Sequence, residues 1–119
     1  MDKLEFNLSL KEMPVEIVDT TGAKKQYILK ELSGQARDTF LTDMAKRCNF
    51  GPSGRVQNIK NFQGLQAGLL SLCLYDEQSV LIKKDVLQTF PSSVLSGLFE
   101  AAQTLSSLET GGSGTEKND

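Results

Sequence analysis

The chain has 119 residues, of which 39% are hydrophobic and 24% charged, and its formal net charge is −2. This length fits one domain, and the composition is that of an ordinary globular protein, which excludes a wholly disordered chain. The nearly balanced charge also excludes strong non-specific attraction to nucleic acid or anionic membranes.

The first 32 residues predict β-structure. Residues 4–10 alternate strictly between apolar and polar side chains, which is typical of a half-buried strand. Residues 15–18 and 26–32 form two further extended runs, separated by a turn at 19–23 in which Gly22 can take a positive φ. We therefore predict an antiparallel meander of two or three strands that packs on other elements, because a lone hairpin is marginally stable. Its inner face is expected to carry Val15, Ile17, Tyr27 and Leu29.

A first amphipathic helix is predicted to begin after Ser33, a suitable N-cap, and to end near Asn49. Asp43 and Arg47 stand four residues apart and are expected to form an exposed pair that contributes a few tenths of a kcal/mol. The apolar stripe of this helix comprises Ala36, Phe40, Leu41, Met44, Ala45 and Cys48.

Residues 49–61 contain two glycines and a proline with little periodicity, and they predict a long loop that is either functional or mobile. Residues 63–75 predict a second helix that is apolar around much of its circumference, either central in the core or buried against a partner. Residues 76–82 predict a turn with a short extended or helical piece, and 83–89 predict one or two helical turns.

A final helix is predicted for residues 91–108, with Pro91 in its first turn and Ser92 or Ser93 as the cap. The composition changes after Leu108, where the remaining residues lack any large apolar side chain. We therefore expect one domain over residues 1–108 and a disordered tail over 109–119. The fold class predicted is α+β, with a small N-terminal antiparallel meander or hairpin packed on three to four helices.

Little in the sequence points to catalysis. The chain has no histidine, the commonest general acid–base residue, and its two cysteines are expected to be reduced, buried and without an obvious partner base. The adjacent Asp76 and Glu77 are interpreted as a solvated helix terminus. The loop at residues 51–55 does not match a phosphate-binding loop, because a helix precedes it and no Lys-Ser/Thr pair closes it. We expect no enzyme activity, no metal and no cofactor.

Localisation signals are not evident either. The longest apolar run, residues 69–75, falls short of the ~18 residues that a membrane span needs. The sequence Met1-Asp2-Lys3 lacks the apolar stretch of a signal peptide, so a cytosolic protein without membrane partners is expected. Cations outnumber acids in residues 33–60, which leaves weak nucleic-acid binding as a less favoured possibility.

The two C-terminal helices together carry more leucine than a small sheet and one further helix can cover. This excess predicts an exposed apolar surface for self-association or for a partner segment. The contacts favoured for it are Leu69, Leu70, Leu95, Leu98, Phe99 and Leu105, with Phe50, Arg55, Val56 and Ile59 of the long loop as a second group.

Several runs of this chain resemble the tail assembly chaperones of long-tailed bacteriophages and prophages. They are Phe62–Leu70 (FQGLQAGLL), Cys73–Glu77 (CLYDE), Val94–Leu108, and the earlier Glu31–Gly34 (ELSG) followed by Arg37-Asp38. The resemblance covers about residues 14–108. It consists of apolar and small residues and contains no catalytic signature.

The resemblance implies a function. Such chaperones bind the long tape-measure protein, keep its apolar helical segments soluble, and give way as tail-tube protein polymerises around it. Members tend to form homo-oligomers, act in the host bacterial cytoplasm and are absent from the mature virion. Many are also made in a longer, frameshifted form, whose extra part would follow Leu108 here. The alternative is another small, self-associating interaction adaptor.

Overall fold

The structure is a computed structural model that describes residues 3–50, 54 and 56–108, with only the backbone described for residues 49, 50, 56 and 57. Its described elements run in the order β1 (Glu12–Val18), β2 (Lys24–Lys30), α1 (Gly34–Arg47), β3 (Cys48–Phe50), β4 (Val56–Ile59), α2 (Leu65–Leu70), β5 (Leu74–Tyr75), α3 (Lys84–Leu87) and α4 (Ser92–Leu105). One sheet has the strand order β1-β2-β5, and β3 pairs with β4 in a second. The prediction of a small α+β fold with an N-terminal hairpin is confirmed.

Strands β1 and β2 form the predicted hairpin around Gly22, which has a φ of 89°. Leu29 is buried on its inner face, and Val15, Ile17 and Tyr27 pack half-buried against the core. The Glu31 amide donates to the Lys11 carbonyl and the Asp19 amide to the Ala23 carbonyl, so the odd-numbered groups of β1 face β2. Pro14 therefore turns its donor-free nitrogen to the outer edge, where an edge strand tolerates proline.

The third strand of this sheet is β5 rather than residues 4–10. Ile28 pairs with Tyr75 and Leu29 with Leu74, so the strand beside β2 comes from the second half of the chain. Residues 4–10 have no regular secondary structure and lie outside any described sheet, and the prediction of a half-buried strand there is wrong.

Helix α1 begins as predicted. The Ser33 side chain accepts a hydrogen bond from the Ala36 amide at 3.2 Å, and the helix ends where Cys48 turns extended into β3. Phe40 and Met44 are buried, whereas Leu41 is exposed, so the apolar stripe is narrower than predicted.

Two other predictions of local structure are corrected. Within residues 49–61 the chain forms the β3–β4 hairpin, in which Cys48 pairs with Ile59 and Asn49 with Asn58. The predicted helix over 63–75 is shorter, because α2 ends at Leu70 and the chain then turns into β5. Both halves of that run contain buried leucines, Leu69 and Leu70 in α2 and Leu74 in β5, and a continuous apolar run does not distinguish helix from strand.

The C-terminal part agrees with prediction in type but not in every detail. Helix α3 occupies one turn within 83–89, and α4 occupies most of 91–108. Neither Ser92 nor Ser93 caps α4, since the N-cap is Pro91 and makes no side-chain capping bond. In the described part of the chain, no helix combines the length and apolar character needed to cross a membrane.

The core lies where α2 packs against the other helices and the sheet. It joins Leu29 and Leu32, Phe40 and Met44 of α1, the buried leucines of α2, Leu74, Leu87, Leu98 and Ala102. Ser106 ties the end of α4 to the β2–α1 connection: its hydroxyl accepts from the Leu32 amide at 2.9 Å, and its carbonyl accepts from Arg37 at 3.0 Å.

Candidate functional site

An apolar groove of about 400 Å³ opens between α2, α4 and the segment that follows β4. Its apolar lining comprises Ile59, Phe62, Leu65, Ala67, Leu95 and Phe99, and Gln66 and Gln88 contribute polar groups. Three of these residues, Ile59, Leu95 and Phe99, are among the contacts that the sequence predicted. The fold brings them together although they lie up to 40 residues apart in the chain.

Helix α4 carries two adjacent strips of apolar side chains, one in the core and one along the groove. Leu98 and Ala102 are buried in the core, whereas Leu95 and Phe99, also four residues apart, are half-buried along the groove. The side chains of Gln66 and Ser96 hydrogen-bond at 3.3 Å and link α2 to α4 beside this strip. The groove therefore has walls on two helices whose relative position is set by the core.

Phe62 is the most exposed apolar side chain of the groove, with 67% of its surface accessible. The backbone on either side of it is held by Arg47, whose Nη1 donates to the Asn61 carbonyl at 3.3 Å and to the Gln63 carbonyl at 2.5 Å. Its Nε donates to Asp43 at 2.7 Å. A buried guanidinium at the end of α1 thus positions an exposed aromatic ring at the groove.

The burial of Arg47 differs from what the sequence predicted. The Asp43–Arg47 pair was expected on the exposed face of α1, but Arg47 is only 8% exposed. The i, i+4 spacing predicted the pair correctly, as the observed contact confirms. Nothing in the local sequence indicated that the guanidinium also reaches two carbonyls in residues 61–63, since those bonds depend on the path of the chain after β4.

Gly64 lies directly beside Phe62 and has a φ of 75°. It is the N-cap of α2, and a Cβ there would lie 2.9 Å from the end of the Lys84 side chain. The left-handed backbone allows the chain to turn sharply from the Phe62 segment into α2. Glycine at this position therefore shapes one end of the groove.

The remaining predicted contact residues are distributed differently. Leu69 and Leu70 are 0% exposed and Leu98 is also buried, so these three side chains belong to the core and offer no surface to a partner in this conformation. Leu105 is half-buried against the core and does not line the groove. Arg55 and the side chains of Phe50 and Val56 lie outside the described residues.

A second apolar surface lies at the N-terminal end. Leu4, Phe6 and Leu8 are 85%, 83% and 98% exposed, and they alternate with polar residues along a stretch without regular secondary structure. The alternation of residues 4–10 predicted that these side chains are half-buried in the sheet. Exposed apolar surface therefore lies where the sequence predicted a covered strand, whereas the buried leucines of α2 contribute none.

The buried cysteines are unsuited to nucleophilic chemistry. Both Cys48 and Cys73 are free and buried. Burial raises the pKa of the Cys73 thiol to about 12, so the thiol stays protonated near neutral pH, and only a thiolate is a strong nucleophile. Among the described residues, no cluster of three His, Cys, Asp or Glu side chains could hold a metal ion.

The interpretation of Asp76 and Glu77 as a helix terminus is wrong. They follow β5, where Asp76 accepts from the amides of Gln78 and Val80 and closes a hairpin loop. Glu77 accepts from the Gln26 amide at 3.3 Å. Both carboxylates therefore have structural hydrogen-bond partners.

The basic segment also looks different in the structure. Arg47 is buried, and Arg37 donates to the Ser106 carbonyl, so two of its cations are engaged inside the protomer. That leaves fewer free cations for tracking phosphates than the sequence count indicated.

Comparison of the chain with protein-family models, with curated proteins and with solved structures finds no match.

Proposed function

We propose that this protein is an assembly chaperone of the bacteriophage-tail type, which binds apolar helical segments of a tape-measure protein. The observation that carries the proposal is the apolar groove, in which Leu95 and Phe99 are half-buried and Phe62 is exposed. The resemblance of the sequence runs at 62–70 and 94–108 to this class of chaperone supplies the client, and both runs contribute residues to the groove.

The groove suits a helical client on physical grounds. An amphipathic helix binds a groove through apolar anchors at i, i+3 and i+4, and aromatic side chains are the commonest strong contacts. Leu95 and Phe99 form one wall with this spacing, and Phe62 offers an aromatic contact on another side. Gln66 and Gln88 contribute polar groups that can hydrogen-bond to a client without requiring a charge.

Release is part of the proposed mechanism. A tail chaperone must leave its client when tail-tube protein polymerises, so its binding must be reversible. Side chains that are already half-buried in the free protein gain less by further burial than fully exposed ones, because the hydrophobic contribution scales with the area removed from water. In this proposal the protein acts in the host bacterial cytoplasm as a homo-oligomer, needs no cofactor and is absent from the finished virion.

The proposal is tested by co-expressing the chain with the tape-measure protein encoded beside it and measuring how much of that client is soluble. We expect the wild-type chain to keep the client soluble and Phe62→Asp to leave most of it insoluble. A charge placed in an apolar contact costs more than the ~1.4 kcal/mol that corresponds to a tenfold rise in Kd.

Val80→Asp is the matched control, because Val80 is also an exposed apolar residue, 57% accessible, and does not line the groove. Circular dichroism should give the same melting temperature for both variants and the wild type. Equal client solubility with Phe62→Asp and with wild type, or without this chain, contradicts the proposal. A client-independent partner captured through Phe62 would instead favour the interaction adaptor.

A further inference from the structure

The Gly64 end of the groove carries two side chains that come from α3 and its C-cap. A Cβ built on Gly64 would lie 2.9 Å from both Cε and Nζ of Lys84 and 3.6 Å from Nε2 of Gln88. Lys84 begins α3 and Gln88 caps its end, four residues later, so both side chains lie on one face and over the same glycine. An ammonium group and a side-chain amide therefore lie together where the groove meets the start of α2.

The side-chain donors of Lys84 and Gln88 have no hydrogen-bond acceptor among the described residues. The salt bridges in the described part of the chain all involve other cations. Asp85, the next residue after Lys84, does not neutralise it, since the Asp85 Oδ1 accepts from the Val86 amide at 3.1 Å. The exposed Lys84 side chain is thus a positive charge that no described carboxylate pairs with.

The described lining of the groove supplies no competing charge. Its side chains are apolar, apart from the neutral amides of Gln66 and Gln88. Gln66 is already engaged, because its amide hydrogen-bonds to the Ser96 hydroxyl at 3.3 Å. The free polar groups are therefore concentrated at one end, where the ammonium of Lys84 only donates hydrogen bonds. Their complement is a carboxylate, which only accepts hydrogen bonds and carries the opposite charge.

We infer that the helical segment bound in the groove carries an aspartate or glutamate beside its apolar anchors, and that Lys84 and Gln88 donate to this carboxylate. The inference rests on the proposed function and adds a preference for acidic amphipathic clients to it. Phe62, Leu95 and Phe99 supply the apolar contacts, which any amphipathic helix can make. A partly exposed ion pair adds little affinity but discriminates between partners of opposite charge, so Lys84 is a specificity-determining residue.

Synthetic helical peptides test this preference. Three peptides share the same leucines at i, i+3, i+4 and i+7 and differ only in the residues that flank this apolar face, which are glutamate, glutamine or lysine. Fluorescence anisotropy measures the Kd of each peptide for the full-length protein, and we expect the glutamate peptide to bind about threefold tighter than the glutamine peptide. The formal net charge of −2 attracts the lysine peptide at long range, so a preference for glutamate identifies a local positive charge.

Charge variants assign the preference to Lys84. Lys84→Gln should give the glutamate and glutamine peptides the same Kd, and Lys84→Glu should make the lysine peptide bind tighter than the glutamate peptide. Lys25→Gln on β2 is the control, because it removes the same charge from an exposed residue that does not line the groove, and it should keep the wild-type preference. All three positions of change are on the surface, so circular dichroism should give the wild-type melting temperature for each variant.

The outcomes separate this inference from the proposed function. Equal binding of the glutamate and glutamine peptides by the wild type, or a preference that persists in Lys84→Gln, overturns the inference. If Phe62→Ala, which adds no charge beside Lys84, then still weakens the binding of both peptides, the groove remains the binding site and only the charge of the client is wrong. No binding of any peptide by the wild type contradicts the groove and the inference together.

Discussion

At the scale of single residues, Arg47 has the largest consequence for the candidate site. Its guanidinium is buried between α1 and residues 61–63, and it satisfies two backbone carbonyls as well as Asp43. Charged donors to buried acceptors contribute more than neutral ones, because the acceptors would otherwise lose their hydrogen bonds with water and gain none. The position of Phe62 at the groove therefore depends on a residue that does not line it.

Arg47→Met tests this role, since it keeps most of the aliphatic length and removes the donors. We expect the free energy of unfolding to fall by about 2 kcal/mol because the Asn61 and Gln63 carbonyls lose their charged partner. Urea denaturation followed by circular dichroism measures the loss. Asp43→Asn is the control and should cost less than about 1 kcal/mol, because Asp43 is substantially exposed and the carbonyl bonds remain.

Asp19 predicts a pH dependence at the same scale. Hydrogen bonds from the Thr21 hydroxyl and from the amides of Thr21 and Ala23 lower the pKa of its carboxyl below the usual value of 3.8. A group whose pKa is depressed by folding stabilises the native state above the unfolded pKa, and this contribution disappears as the pH falls through the folded pKa. We expect Asp19→Asn to flatten the decline in stability below about pH 4, measured by thermal unfolding at a series of pH values. An unchanged acid profile would show that Asp19 has no part in it.

At the scale of elements, two hairpin loops share one hydrogen-bond pattern but differ in the residue with a positive φ. Asp19 and Asp76 each precede a three-residue hairpin loop. In both, Oδ1 accepts hydrogen bonds from two backbone amides, and the carbonyl accepts one from the amide three residues later. The residue in the left-handed region is Gly22 in one loop, with a φ of 89°, and Ser79 in the other, with a φ of 64°. Serine at that position carries backbone strain that glycine does not.

Ser79→Gly should therefore raise the free energy of unfolding by about 0.5 kcal/mol, the relief of strain less the greater entropy of glycine in the unfolded chain. Gly22→Ser is the reciprocal variant and should lower it by about 1 kcal/mol. Chemical denaturation of both variants beside the wild type gives the comparison. A destabilising Ser79→Gly would mean that the serine makes a compensating contact.

Two segments were predicted incorrectly from their sequence patterns, residues 4–10 and the run at 63–75. The alternation in residues 4–10 predicts a strand of the same sheet. Its apolar side chains occupy even positions, however, whereas those of β1 occupy odd positions from Met13 onward. One uninterrupted strand cannot place both sets on the same face. The helix predicted over 63–75 was too long for a different reason. Buried apolar residues continue from α2 into β5, so no change of periodicity marks the end of the helix.

At the scale of the whole molecule, the core and the groove depend on the same helices. The leucines of α2 are covered by the other helices and the sheet, so they are unavailable to a partner. The accessible apolar surface of the described residues includes the strip of α4 beside the core, the Phe62 segment and the N-terminal residues. The proposed function assigns the groove, with the strip of α4 and the Phe62 segment, to a helical client.

The sequence by itself determined the class of fold, the β1–β2 hairpin with its Gly22 turn, the capped start of α1 and the apolar character of the last helix. These features depend on residues close together in the chain, where propensity, capping and periodicity act. Only the tertiary structure decided that β5 completes the sheet, that Arg47 is buried, and that Leu95 and Phe99 meet Ile59 and Phe62. Those outcomes depend on packing between distant segments, which removes water from some apolar side chains and leaves equivalent ones exposed.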